Sequence, residues 1–209
     1  MSIRVLFICH GKVLTKWPRT LILQHFSNKR CWIYNSFTTF AEAVFEASKE
    51  SEKGFQYTMI SILFVCWGNI CRSPMCEYMM KDLVKRKGIA DEFYIESAAT
   101  STEEIGNGVY PPAKRKLASV GISCNEKRAR QLTKADYSKF DYIIGMEDLN
   151  MRYMLRILGG DPDGKLYNLL DFTDHPRAIA DPWYTGDFDQ TYDDIVEGLD
   201  GFLNFLHIQ

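Results

Sequence analysis

Apolar positions along this chain change spacing several times, and each change marks an element. Ile62-Leu-Phe-Val65 is an unbroken apolar run, as expected of a short buried strand. Met75, Met79 and Leu83 then repeat at four-residue spacing, which predicts a helix from Pro74 to about Lys87, ended by Gly88. Phe93-Tyr-Ile-Glu-Ser97 reads as a second strand, and a helix from about Pro112 to Val120 stops at Gly121. Thr133 reads as the N-cap of a short helix before a third strand, Asp141 to Met146. Asp148 reads as the cap of a helix running through Leu158, and Ile195, Leu199, Phe202 and Leu206 share one side of a helix from Tyr192 to Leu206. Strands alternating with helices predict an α/β fold, a doubly wound sheet whose ligand site lies at the carboxyl ends of its strands. The first of those ends is Cys66.

Upstream, Ile3 to Gly11 resembles Ile62 to Gly68, each an apolar run leading into a Cys-x-Gly turn. The likeness ends at the glycine: Thr15 stands where the second copy has Arg72, so the first copy is expected to be inert. Asn35 to Glu50 reads as an amphipathic helix with Phe37, Phe40, Ala41 and Val44 on one face. Residues 15 to 34 show no clear period. The expected organisation is an extension over 1–60, with a strand and a helix at about 36–50, followed by a domain over 61–209.

Composition narrows the class. With 46% apolar and 25% charged residues the chain reads as a soluble globular protein, and no apolar run reaches the roughly 18 residues of a membrane span. Residues 1–60 hold 8 Lys and Arg against 4 Asp and Glu, leaving 17 against 23 downstream. The basic stretch reads as solvated surface, and neither a nucleic-acid nor a membrane partner is expected. Six irregularly spaced cysteines do not form a secreted disulfide scaffold, and the first residues lack a cleavage pattern, so a reducing cytoplasm is expected.

Candidate chemistry gathers at Cys66-Trp-Gly-Asn-Ile-Cys-Arg72-Ser-Pro74. Cys-x5-Arg is weak by itself. Here a strand delivers the cysteine to a loop, Gly68 permits tight backbone, Ser73 is placed as an N-cap and Pro74 as the first helical residue. Loop N–H groups and the positive helix end form an anion cradle of phosphate size, and that field favours a thiolate. Arg72 offers a planar fork to two phosphate oxygens, which Lys could not match. A leaving alkoxide or phenoxide needs a proton, so a carboxylic acid must come from another segment. Asp181 is the candidate, in Ala180-Asp-Pro-Trp-Tyr184, where Trp183 and Tyr184 offer flat walls to an aromatic leaving group. The same carboxylate could then activate water against a phosphocysteine. No His/Cys spacing proposes a metal, and no cofactor is expected.

Taken blandly, a cysteine at a strand end is a small hydrophobe, Asp-Pro is a turn opener, and Trp67 is either core or the pocket wall. Cys9, Cys76 and Cys124 read as structural, and His175 as a loop residue.

These residues resemble the low-molecular-weight protein tyrosine phosphatases over nearly all of 61–209. The ordered matches are Val65 to Pro74, Ser-Ala-Ala-Thr-Ser-Thr at 97–102, Ile-Gly-Asn at 105–107, Ala-Arg-Gln at 129–131, Phe-Asp-Tyr-Ile-Ile at 140–144, Met-Glu-Asp-Leu-Asn at 146–150 and Asp-Pro-Trp-Tyr at 181–184. The resemblance implies a four-stranded parallel sheet with helices on both faces. It implies hydrolysis of protein phosphotyrosine with Cys66 as nucleophile, Arg72 as phosphate binder and Asp181 as general acid and base. It implies substrate and phosphate contacts from Trp67, Gly68, Asn69, Ile70, Cys71, Ser73, Trp183 and Tyr184, with phosphate or vanadate as competing ligands. Asn69 would hold the loop in shape, Ser73 would donate to the thiolate, and Cys71 could form a reversible disulfide with Cys66. Three departures stand out: Lys127 where a histidine commonly supports the loop asparagine, Glu103 at a rim position often aromatic, and an unmatched 1–60.

Rival chemistries use the same loop. Arsenate reduction needs a cysteine relay, usually a spaced pair downstream, and beyond the loop and the helix that follows it only Cys124 remains. Phosphoarginine hydrolases of similar loop carry Thr where this chain has Ile70. A non-catalytic phosphate-binding relic is the remaining alternative, against which Cys66, Arg72 and Asp181 stand intact.

Overall fold

The computed structural model describes residues 7–9, 12–14 and 59–208. The chain divides into two units, Met1–Gln56 and Tyr57–Gln209. In the first, β1 (Phe7–Cys9) pairs antiparallel with β2 (Lys12–Leu14), Cys9 opposite Lys12, in a sheet of its own. The near-repeat is thus not repeated in pairing: Phe7–Cys9 pairs antiparallel, whereas Ile60–Cys66 enters a parallel sheet. The helix expected at about 36–50 lies outside the described residues.

The second unit is an α/β fold around a four-stranded parallel sheet. Its strands are β3 (Ile60–Cys66), β4 (Phe93–Ala99), β5 (Tyr142–Gly145) and β6 (Leu166–Asn168), in the order β4-β3-β5-β6. Central β3 explains its own unbroken hydrophobicity. Ile62 and Phe64 enter one core with Met75, Met80, Ile195 and Phe202. Leu63 and Val65 enter another with Leu132, Phe140, Ile143 and Met154. Successive strand side chains point to opposite faces, so a strand covered on both needs apolar residues at every position. The helices of this unit are α1 (Arg72–Arg86), α2 (Pro111–Ser119), α3 (Asp136–Lys139), α4 (Asp148–Leu158), α5 (Pro182–Thr185) and α6 (Phe188–Phe205). No helix among the described residues is long and apolar enough to cross a membrane.

β4 and β5 pair with opposite edges of β3. The winding therefore reverses at β3, and the crevice at its carboxyl end is where ligands bind in sheets of this kind. Cys66 is the last residue of β3.

The differences from expectation are local. Helix α1 starts at Arg72, with Cys71 flanking it and no side-chain cap. Ser73 is therefore no N-cap, its hydroxyl being engaged with Cys66, and Pro74 is the third helical residue, where a missing N–H is still harmless. Thr133 caps nothing: its N–H and hydroxyl both donate to Asp136 Oδ2, so the acceptor is the acid three residues on. Glu147, not Asp148, flanks α4, which ends at Gly159 with φ 87°. Helix α6 begins four residues earlier than its periodicity suggests, because Asp187 caps it by accepting from Gln190 N at 2.8 Å. Strand β6, three residues long, offered too little alternation to read.

Candidate active site

The segment between β3 and α1 wraps around the Cys66 sulfur. Asn69 has φ 58°, a left-handed conformation that Asn tolerates better than most residues. That turn lets Asn69 N donate to Cys66 Sγ at 3.3 Å while its side chain points behind the loop. There Nδ2 donates to Ser73 Oγ at 2.9 Å and Ser97 Oγ at 2.8 Å, and Oδ1 accepts from Arg130 N at 3.1 Å. An amide nitrogen can only donate, so the Ser73 oxygen is an acceptor in that contact and keeps its own hydrogen for Cys66 Sγ, 3.0 Å away. The one rival acceptor, Ala98 O, is at 3.5 Å. Ser73 is thus arranged to donate to sulfur.

A second layer holds Ser97, whose hydroxyl donates to Glu77 Oε2 at 2.6 Å. Glu77 is buried and paired with Lys127 at 2.9 Å and Lys81 at 2.5 Å. Lys127 Nζ also donates to Ser97 O at 3.0 Å. Burial lowers the Lys127 pKa below its ordinary value, with Glu77 opposing the shift. Lys127 therefore reaches the loop asparagine through Ser97 and Glu77.

Arg72 is 1% exposed. Nη1 donates to Glu147 Oε1 at 2.8 Å and Ile179 O at 3.1 Å, and Nη2 to Asp181 Oδ2 at 2.5 Å. Its Nε is buried with no partner among the described residues. Burial pulls the guanidinium pKa down, but Cys66, Asp181 and Glu147 outweigh it and hold the value above the ordinary one. Asp181 is the N-cap of α5, Oδ1 accepting from Trp183 N at 3.1 Å. Its two oxygens are thus divided between a helix start and Arg72.

One cleft is lined by Cys66, Trp67, Gly68, Ile70, Cys71, Arg72, Glu103, Glu104, Asp181, Trp183 and Tyr184. The expected nucleophile, phosphate binder and acid therefore meet, although Cys66 and Asp181 are 115 positions apart in the sequence. Asn69 and Ser73, expected among the binding residues, are not in the lining: both side chains are fully buried behind it. Trp67 lines the cleft, fixed edge-on against Tyr153 at 5.2 Å and donating from Nε1 to Glu103 at 2.9 Å. A Cβ on Gly68 would lie 3.2 Å from Glu104 Cγ, so the glycine admits the neighbouring rim. Trp183 and Tyr184 are 52% and 86% exposed, and Trp183 leans on Tyr110 at 4.8 Å. Burial, then the charges of Cys66 and Asp181, push the Cys71 thiol pKa far above its ordinary value. Cys71 is thereby held as a protonated thiol. Sequence reasoning missed Glu147, Glu77, Glu104 and Tyr110.

A model of the low molecular weight phosphotyrosine protein phosphatase family matches residues 61–209. The chain belongs to that family. It is 36% identical over 147 residues to the low molecular weight protein-tyrosine-phosphatase YfkJ of Bacillus subtilis, covering 69% of this chain and 94% of that protein. It is 40% identical over 155 residues to the low molecular weight phosphotyrosine protein phosphatase of Gallus gallus, covering 70% and 96%. Among solved structures it is similar to YfkJ, with a TM-score of 0.69 over 71% of this chain and 95% of that one. A Drosophila arginine phosphatase is also similar, at 28% identity and a TM-score of 0.63 over 69% and 96%. Family membership thus covers the second unit.

Proposed function

We propose that this chain hydrolyses protein phosphotyrosine through a phosphocysteine intermediate. The observation that carries the reading is the convergence of Cys66, Arg72 and Asp181 on one cleft, with Ser73 and Asn69 N donating to the sulfur. The Cys66 thiolate attacks phosphorus, the bond from phosphorus to the phenolic oxygen breaks, and Asp181 delivers a proton to that oxygen. Asp181, now a carboxylate, takes a proton from water as the water oxygen attacks phosphorus; the P–S bond breaks, releasing phosphate and the thiolate. Arg72 keeps Nη1 on Glu147 and Ile179, while Nε and Nη2 are the donors offered to the phosphoryl oxygens. A phosphate would thus compete with Asp181 for Nη2, freeing the acid for the leaving group. Inorganic phosphate and vanadate would occupy the same donors.

Phosphotyrosine is favoured over phosphoarginine by Ile70, an apolar side chain in the lining. Arsenate reduction is disfavoured because the cysteines beyond the loop, Cys76 and Cys124, are 0% and 2% exposed and cannot serve as open relay thiols. The reaction belongs in a reducing cytoplasm, where the Cys66 sulfur stays reduced, with neither nucleic acid nor membrane as partner.

The test is hydrolysis of p-nitrophenyl phosphate and a phosphotyrosine peptide by the full chain in the presence of chelator. A phosphoarginine peptide and arsenate serve as competitors, beside Cys66→Ser and Asp181→Asn. Phosphotyrosine turnover that Cys66→Ser abolishes is expected. Preferential turnover of phosphoarginine, or turnover surviving Cys66→Ser, would overturn the reading.

A further inference from the structure

The cleft has a cationic floor and an anionic mouth. Among the described residues lining it, Arg72 is the one cation, and at the mouth stand Glu103 and Glu104 beside Asp181. The segment carrying the two glutamates is fixed in place. Thr100 N donates to Cys66 O at 2.9 Å and Ser101 N to Trp67 O at 3.0 Å, which ties its start to the phosphate loop. Gly106 N donates to Ala129 O at 2.9 Å and Ala129 N to Asn107 O at 2.8 Å, which ties its end.

Each carboxylate is oriented by a neutral donor. Glu103 Oε2 accepts from Trp67 Nε1 at 2.9 Å, and Glu104 Oε2 accepts from Asn107 Nδ2 at 2.7 Å. Neither forms an ion pair with a Lys or Arg among the described residues, in contrast to Glu77, Glu96, Glu147 and Glu197. Two oriented negative charges are therefore left uncompensated at the entrance to a site whose floor takes a dianion. The buried, unpartnered Arg72 Nε independently marks that floor as the place for an oxyanion. A substrate side chain that flanks the phosphorylated residue on the Glu103–Glu104 side of the cleft comes to rest beside these carboxylates.

We infer that Glu103 and Glu104 select phosphotyrosine segments flanked by Lys or Arg and repel those flanked by Asp or Glu. The inference rests on the phosphotyrosine reading above. Because the glutamates meet the flanks and not the reacting phosphorus, they stabilise ground state and transition state alike. The selection should therefore fall on KM and leave kcat nearly equal across peptides. Exposed charge pairs are individually weak, so two carboxylates attracting one peptide and repelling another give about a 5- to 30-fold ratio in kcat/KM at low ionic strength. Salt should shrink that ratio, since partners at a cleft mouth are reached by counterions.

The experiment compares three phosphotyrosine peptides alike except for basic, neutral or acidic flanks, with p-nitrophenyl phosphate as a substrate lacking flanks. The enzymes are the full chain and its Glu103→Gln, Glu104→Gln and double variants. The expected result is the order basic, neutral, acidic in 1/KM, a ratio that falls as salt rises, and its collapse toward unity in the double variant. Each ratio is taken within one protein, so a change in overall activity does not disturb it. Should the double variant fail to fold, the salt dependence of the unsubstituted chain decides. Turnover of p-nitrophenyl phosphate with equal kcat/KM for all three peptides would overturn the inference alone. So would a ratio unchanged by salt or by the double substitution. Hydrolysis of none of these substrates would overturn the phosphotyrosine reading and the inference together.

Discussion

The loop from Cys66 to Ser73 and the segment from Ile179 to Thr185 line the same cleft, yet they are held by different means. The loop is buried, Asn69 alone joins Ser73, Ser97 and Arg130, and Glu77 with Lys127 backs that junction. The opposite segment is anchored at its root, where Ile179 N donates to Met146 O at 2.8 Å, but its aromatic tip is open to solvent. The contrast follows the two tasks of the proposed reaction. Binding a tetrahedral dianion rewards donors fixed before the substrate arrives. Proton transfer to varied leaving groups asks for a carboxylate that can leave Arg72 and meet the substrate oxygen.

If that division of labour is right, substitutions on the two sides should differ in kind. The largest effect is expected at Cys66: Cys66→Ser should abolish turnover, read by p-nitrophenol release, while leaving vanadate binding measurable. Asp181→Asn should lower phosphotyrosine-peptide kcat about 10²- to 10⁴-fold, and lower p-nitrophenyl phosphate turnover less, because p-nitrophenolate departs without full protonation. Equal losses on both substrates would argue that Asp181 acts only as the partner of Arg72.

Behind the loop, Asn69→Ala should cost stability as well as activity. It strips partners from Ser73, Ser97 and the Arg130 N–H, and sets a Cβ residue with no local side-chain bonding at φ 58°. A loss of about 2–3 kcal/mol in urea unfolding is expected, together with a fall in kcat. A kinetic effect without a stability effect would break the account of a braced loop.

A site remote from the cleft calibrates that comparison. Asp161 accepts from Tyr137 Oη and Lys165 N at 2.8 Å and from Leu166 N at 3.2 Å. Partial burial raises its pKa, but these bonds outweigh burial and hold it below the ordinary carboxyl value. A depressed folded-state pKa means the stabilisation is present above the unfolded value near 3.8 and is lost as pH falls through the lower folded value. Asp161→Asn should therefore cost about 1 kcal/mol at neutral pH and progressively less toward pH 3, with kcat unchanged. The smallest effect is expected at the open tip: Trp183→Ala should raise KM about 2- to 5-fold, with stability moved by less than about 0.5 kcal/mol.

Much of this was legible in the sequence because chemistry restricts the residues. A thiol at a strand end, an arginine six positions later at a helix start and an acid beside aromatics point to one another through the reaction they could perform. The sheet was legible because a strand covered on both faces must be apolar throughout, as Ile62 to Val65 is. What escaped was set by contacts between distant positions. Glu147 meets Arg72 across 75 positions, and no local pattern distinguishes it from Asp148 beside it. Ser73 illustrates a subtler failure: Ser before Pro at a helix start carries the signature of a cap, and the fold gives the hydroxyl to sulfur instead. The Cys9 segment shows the limit of local similarity, since Phe7–Cys9 pairs antiparallel where Ile60–Cys66 pairs parallel.

The central claim, that Cys66 carries the phosphoryl group, is tested most directly by acid-quenching the full chain during p-nitrophenyl phosphate turnover and mapping the phosphoryl group onto its peptides. Asp181→Asn is the informative background, because a good leaving group can still form the intermediate while water attack is slowed. A phosphoryl group on the peptide containing Cys66, accumulating in Asp181→Asn and absent from Cys66→Ser, is the predicted result. Turnover with no phosphoryl group on that peptide, or with one on another residue, would contradict the account.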